Sequence, residues 1–160
     1  MPAPARLLVG ESLWMATVAA LAPYAEARVE AGVYWYGIRN LEAAAACSVG
    51  IPRQVNRRAN FTVAADDLAA LTRVMSEPLV VIAQLHTHPG KDTRHSSWDD
   101  DLTVSRKILS IVLPEYGRDP KLEEAGIHEC LDGGWLRLER REVADRIVLI
   151  PTLSDGRRER

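Results

Sequence analysis

A chain of 160 residues, 47% of them apolar, is long enough to bury one core without disulfide staples. Its 20 basic and 22 acidic residues leave a net charge of −2 and are spread along the chain, so there is no cationic footprint for nucleic acid or for an anionic membrane. Cys47 and Cys130 lie far apart with no CxxC pair, which excludes a disulfide framework and a cysteine-rich structural zinc site. Both read as small buried hydrophobes in a reducing cytoplasm.

The opening MPAPARLLVGES is too short in apolar residues for the core of a signal peptide. The longest uncharged run, 12–25, contains Pro23 and falls short of the roughly 20 residues needed to span a bilayer, so a cytoplasmic protein is expected. From Ser12, a plausible cap, Trp14, Val18, Leu21, Ala22, Ala25 and Val29 recur at helical spacing, with Pro23 a point of bending. AGVYWYGI (31–38) and AAAACSVG (43–50), joined by the turn-like Arg39-Asn40, predict a hairpin. QVNRRANFTV (54–63) alternates like an exposed strand, and 65–75 predicts a helix with Asp66 and Asp67 in its first turn.

PLVVIAQLHTH (78–88) is a nearly continuous apolar run, the mark of a central strand covered on both faces. After a Gly-containing loop, Ser96-Ser97 opens a helix to about Lys107, KILSIVL (107–113) is a strand, and a second hairpin turns at Gly133-Gly134. RIVLIP (146–151) adds a last strand before the charged tail SDGRRER. The expected fold class is α+β (layered α/β), a mixed, largely antiparallel sheet flanked by two or three helices, with residues 1–153 as one domain and 154–160 as a loose tail.

Chemistry concentrates at the end of the central strand. In His86-Thr87-His88 the period-two alternation puts both imidazoles on one face, about 7 Å apart along the strand and able to converge on one ion. Pro89-Gly90 turns the chain, and Asp99 returns from the next helix as a carboxylate ligand. Three protein ligands leave a fourth position open, as in a catalytic rather than a structural zinc site. Such a site needs a base, for which Glu30 at the head of the AGVYWYGI strand is the best placed, with Glu26 and Glu42 as alternatives. Ser96 is a candidate oxyanion donor, and Ser96-x-x-Asp99 is also a helix capping box. Asp100 and Asp101 compete with Asp99 as ligand, and Ser97 with Asp100 repeats the spacing. Of the remaining residues, His95 reads as an exposed loop histidine, His128 as packed in a sheet, Trp98 as a core anchor with a substrate cleft as its alternative, and Val33 to Tyr36 as packing.

His86-x-His88-Pro89, six further residues, then Ser96-x-x-Asp99 resembles the HxHPx6SxxD signature of the JAMM (MPN+, JAB) metalloproteases. Glu30-x-Gly32-x-x-x-x-Gly37 is similar to the upstream glutamate segment of that family. The spacing from His88 in that signature selects Asp99 over its neighbours. The resemblance implies the JAB/MPN, cytidine deaminase-like architecture, one Zn²⁺ per chain on His86, His88 and Asp99, and catalysis by Glu30 and Ser96. It implies cleavage after the C-terminal tail of a ubiquitin-like protein or its conjugates. It further implies kinship with the bacterial members that accompany E1/E2-like proteins in conjugation systems, antiphage ones included. Two other readings stay in view: a metal-free scaffold of the same fold, and a zinc hydrolase of small amides or peptides.

Overall fold

A computed structural model describes residues 5–102, 105 and 107–151. The chain opens with β1 (Arg6–Gly10), which runs directly into α1 (Glu11–Ala27), followed by β2 (Gly32–Arg39) and β3 (Ala43–Gly50). The short β4 (Val55–Asn56) and β5 (Phe61–Thr62) precede α2 (Ala65–Val74), β6 (Val80–Thr87), α3 (Ser97–Leu102) and β7 (Leu109–Leu113). After two 3-10 turns, Glu115–Gly117 and Leu122–Glu124, come β8 (Gly126–Leu131), β9 (Gly134–Arg137), α4 (Arg140–Arg146) and β10 (Ile147–Ile150). Eight strands form one sheet in the order β10-β1-β3-β2-β6-β7-β8-β9. β1 runs parallel to both β10 and β3, β6 runs parallel to β7, and the other four pairings are antiparallel. This is the α+β, layered α/β class the sequence predicts. No helix among the described residues is long and apolar enough to cross a membrane.

The core lies where α1 crosses the centre of the sheet. Leu13, Thr17, Leu21 and Ala25 face inward, one position round the helix from the predicted stripe, and Ala22 is exposed. Thr17 is buried without penalty because its hydroxyl accepts from Trp35 Nε1 (2.8 Å) and donates to the Leu13 carbonyl (2.8 Å). Trp14 meets Trp35 edge to face at 6.4 Å. Gly10, not Ser12, occupies the N-cap, and α1 continues through Pro23 to Ala27.

Segment 54–63 is not one strand. It folds back on itself as the β4–β5 hairpin, a separate two-stranded sheet closed by the Arg57 amide donating to the Asn60 carbonyl (2.8 Å). Phe61 is buried beneath this hairpin while Val55 faces solvent, which produces the alternation seen in the sequence. Among the described residues four α-helices stand where two or three were expected. The extra one, α4, has no buried residue and is stabilised at its start by a capping box between Glu139 and Glu142. The helix predicted from Ser96 to about Lys107 is described over Ser97–Leu102, and 103, 104, 106 and the tail 152–160 lie outside the described residues.

Candidate metal centre

β6 delivers His86 at its end, and His88 follows one residue beyond it on the same face. Between them Thr87 turns the other way: its Oγ1 accepts from the Ala31 amide (3.0 Å) and its own amide donates to the Ala31 carbonyl (3.1 Å). These bonds extend the β2–β6 register, in which Gly32 faces His86, by one residue. The next residue back along the chain is Glu30, which this register sets beside His88.

The donor atoms of His86, His88 and Asp99 all lie within 4.8 Å of one another. His86 Nε2 is 3.3 Å from Asp99 Oδ1, and His88 Nε2 is 3.2 Å from Asp99 Oδ2. Donors at about 2.0–2.1 Å from a tetrahedral ion are spaced by about 3.3 Å, so the separations fit one shared cation. Both ring nitrogens of His86 are buried without a hydrogen-bond partner, an orphaning that a metal at Nε2 would relieve. The second imidazole is oriented by its far nitrogen: Nδ1 of His88 donates to the Asp92 carbonyl (2.9 Å), leaving the Nε2 lone pair facing Asp99. The residues present therefore fit a metal ion.

Asp99 is fixed by the N-terminus of α3. Ser96 donates to its Oδ2 from both amide (2.6 Å) and hydroxyl (2.7 Å), and the Asp99 amide donates back to Ser96 Oγ (3.2 Å). Burial alone would raise the Asp99 carboxyl, but the two imidazoles and the Ser96 amide facing it hold it well below the usual carboxylate range. The capping reading of Ser96 thus holds in this structure, and its hydroxyl donates to the Asp99 carboxylate.

Glu30 is only 6% exposed. Burial pushes its carboxyl up to about 7, with the nearby His88 working against the rise and Asp99 adding to it. Its main chain is clamped by the hairpin: the Glu30 amide donates to the Arg57 carbonyl (2.8 Å) and its carbonyl accepts from Asn56 Nδ2 (2.8 Å). Phe61, on the same hairpin, packs 6.0 Å from the His86 ring. The alternatives to Glu30 lie elsewhere, Glu26 exposed on α1 and Glu42 exposed at the turn between β2 and β3. Asp101 is also exposed, and Asp100 turns to His95 instead of the cluster.

Three residues depart from their sequence reading. His95 is not an exposed loop histidine: its side chain is 6% exposed, stacked on His128 at 4.1 Å and packed on Trp135 at 5.0 Å. Trp98 is not a core anchor and stands half exposed, because the inward face of α3 is taken by Asp99. Cys47 is exposed, being the extra residue of a β-bulge between Ser48, paired with Tyr36, and Ala46, paired with Gly37. His128 is buried in β8 as expected, and neither of its ring nitrogens has a partner.

Sequence reasoning missed Tyr116, which carries no motif. Glu115, Tyr116 and Gly117 are three successive residues at positive φ (51°, 60° and 73°), backbone that is uncommon outside glycine. That path lets the Tyr116 amide donate to the His88 carbonyl (2.7 Å) while its hydroxyl donates to the Arg58 carbonyl (3.1 Å) in the β4–β5 turn. One residue, through its amide and its hydroxyl, so ties the segment bearing His88 to the hairpin that clamps Glu30.

A cleft of about 390 Å³ opens beside the cluster, lined by the loop from His88 to Ser96. A larger groove of about 760 Å³, between α4, β9 and β10, contains none of the cluster residues.

No protein-family model matches the chain. It is 31% identical over 93 residues to a protein of Sinorhizobium fredii (strain NBRC 101917 / NGR234) named "Probable metalloprotease y4jG", an alignment covering 54% of this chain and 57% of that protein. The chain thus spans little more than half the length of that relative. In shape it is similar to the solution structure of protein DSY2949 from Desulfitobacterium hafniense, with a TM-score of 0.68 over 96% of this chain and 99% of that one. At 14% identity that likeness speaks to the fold alone.

Proposed function

We propose that this chain is a zinc-dependent isopeptidase of the JAMM (MPN+) type that cleaves after the C-terminal tail of a ubiquitin-like protein, in the cytoplasm and alongside E1/E2-like partners. The observation that carries the reading is the convergence of two imidazoles and a carboxylate, all buried or nearly so, beside a buried glutamate whose carboxyl titrates near neutrality. The similarity to a protein named a probable metalloprotease supports the peptidase class, and the HxHPx6SxxD spacing supports the type.

His86, His88 and Asp99 would hold the ion, which when bound would supply Lewis acidity at the scissile carbonyl and to the attacking water. Glu30 takes a proton from that water on its carboxylate and returns it to the leaving amine, a task matched by a group poised near pH 7. Ser96 is assigned the developing oxyanion, a role its O–H takes up by turning away from Asp99 Oδ2.

The test is cleavage of a panel of ubiquitin-like fusions by wild type and Glu30→Gln, with zinc content measured on both. The reading expects about one zinc in each protein and cleavage by wild type alone. Zinc without cleavage of any fusion would leave a metallohydrolase of other substrates, and normal cleavage by Glu30→Gln would remove the base.

A further inference from the structure

We propose that His95 is a positioning residue for the metal centre: it ties the first turn of α3 to the sheet and so sets the distance between Asp99 and His86. The inference rests on the reading of His86, His88 and Asp99 as metal ligands.

The described part of α3, Ser97–Leu102, is short and carries little of its own stability, and Trp98, Asp100 and Asp101 all face solvent. The Ser96–Asp99 hydrogen bonds lie within the turn and would travel with it. A tie to the rigid part of the molecule is needed to place Asp99 against β6, and His95 provides one. Its Nδ1 lies 2.9 Å from Asp100 Oδ1 and its Nε2 lies 2.8 Å from Ser110 Oγ. Ser110 is fully buried in β7, flanked in the sheet by Gln84 of β6 and His128 of β8.

The chemistry fixes the ring. An ionised Asp100 carboxylate only accepts, so Nδ1 carries the proton, and Nε2 accepts from the Ser110 hydroxyl. A single neutral tautomer satisfies both partners. The ring cannot swing to another pair, because it is stacked on His128 with an interplanar angle of 24° and bounded by Trp135 and by His86 at 5.8 Å. A side chain that bridges a core strand to the residue next to a ligand constrains that ligand in the way outer-shell partners do, and loss of such partners weakens metal binding by about 10- to 100-fold.

The experiment measures zinc affinity by chelator competition, and thermal unfolding of the metal-free protein, for wild type, His95→Phe, His95→Asn and Asp100→Ala. Asparagine carries its amide nitrogen where Nδ1 stands, so it keeps the bond to Asp100 and loses the one to Ser110; phenylalanine keeps the packing and loses both bonds. Positioning predicts about tenfold weaker zinc for His95→Phe and for Asp100→Ala. It predicts weakened zinc for His95→Asn as well, because that variant has no atom to reach Ser110, and no further loss in the His95→Phe/Asp100→Ala double variant. Asp100 is exposed, so its variant reports even where His95→Phe folds poorly. A packing role predicts wild-type affinity for both His95→Phe and Asp100→Ala, and that result overturns the proposal, as does equal zinc affinity throughout. Wild type that binds no zinc refutes the metal reading itself, whereas zinc bound equally by wild type and variants refutes this inference alone.

Discussion

Gly126 opens β8 at the point where the loop carrying the candidate ligands crosses it. Its φ lies outside the left-handed region, so alanine is conformationally allowed and the effect of Gly126→Ala is purely steric. The added Cβ would overlap the Thr93 carbonyl oxygen and stand 2.9 Å from Thr93 Cβ and 3.0 Å from His128 Cε1. Restoring a van der Waals separation takes roughly 1 Å of movement. β8 is held by its ladder to β7 and by Ile127, which is fully buried, so the loop from Pro89 to Ser96 must give way. That loop begins at His88 and ends in the turn bearing Asp99, whose donor atoms are 3.2 Å apart, while a metal site tolerates about 0.2 Å in its ligand distances. The expected outcome is a loss of about 1–3 kcal/mol in urea unfolding of the metal-free protein. Chelator competition should show zinc held about tenfold more weakly or worse. Gly134→Ala is the control, because its Cβ would meet nothing nearer than the Leu131 carbonyl at 3.9 Å. A Gly126→Ala protein that loses stability but keeps wild-type zinc affinity would refute the claim that the loop's seat on β8 sets the ligand geometry.

Two further predictions concern protonation. The folded-state pKa of Glu30 is raised from 4.5 to about 7, so the proton the folded chain keeps stabilises it fully below pH 4.5, and that contribution is lost as pH rises through 7. Glu30→Gln should flatten this part of the metal-free stability curve by on the order of 3 kcal/mol; parallel urea-unfolding curves for the two proteins from pH 5 to 8 would contradict the burial argument. His128 has the opposite sign: burial and the neighbouring His95 lower it from 6.5 to about 3, so its contribution is complete above pH 6.5 and lost as pH falls through 3. His128→Leu should therefore remove a destabilisation of about 2 kcal/mol at pH 5 relative to pH 8, read by the same unfolding series, and an unchanged acid limb would count against it.

The central strand and the ligand motif were legible because both are local: an apolar run announces β6, and fixed spacings carry His86, His88, Ser96 and Asp99 to its end. What escaped was decided by distant packing or by backbone detail. α4 reads RREVADR, a polar stretch without an apolar stripe, and is stabilised by a capping box rather than by burial. β1 is a five-residue strand that runs through Gly10 directly into α1, and its identity depends on β3 and β10, both far along the chain. Cys47 sits in an apolar run but is exposed because a bulge, invisible in composition, turns it out of the ladder. A histidine in a polar loop such as His95 has no periodicity to reveal that its ring reaches a core strand.

The choice among Glu26, Glu30 and Glu42 shows where such reading ends. Each is an acid near the first hairpin, and no spacing to the histidines separates them. Register does, since side chains alternate along a strand and a one-residue slip of β2 against β6 would turn Glu30 away from His88. The register along this strand, whose Val33, Tyr34, Trp35 and Tyr36 are all 1% exposed or less, carries an irregularity after Trp35 where pairing steps from Ala83 to Val81. Strand alignment thus separates the three carboxylates, and substitutions along Val33–Tyr36, on either face of β2, are expected to act on the site through register rather than contact.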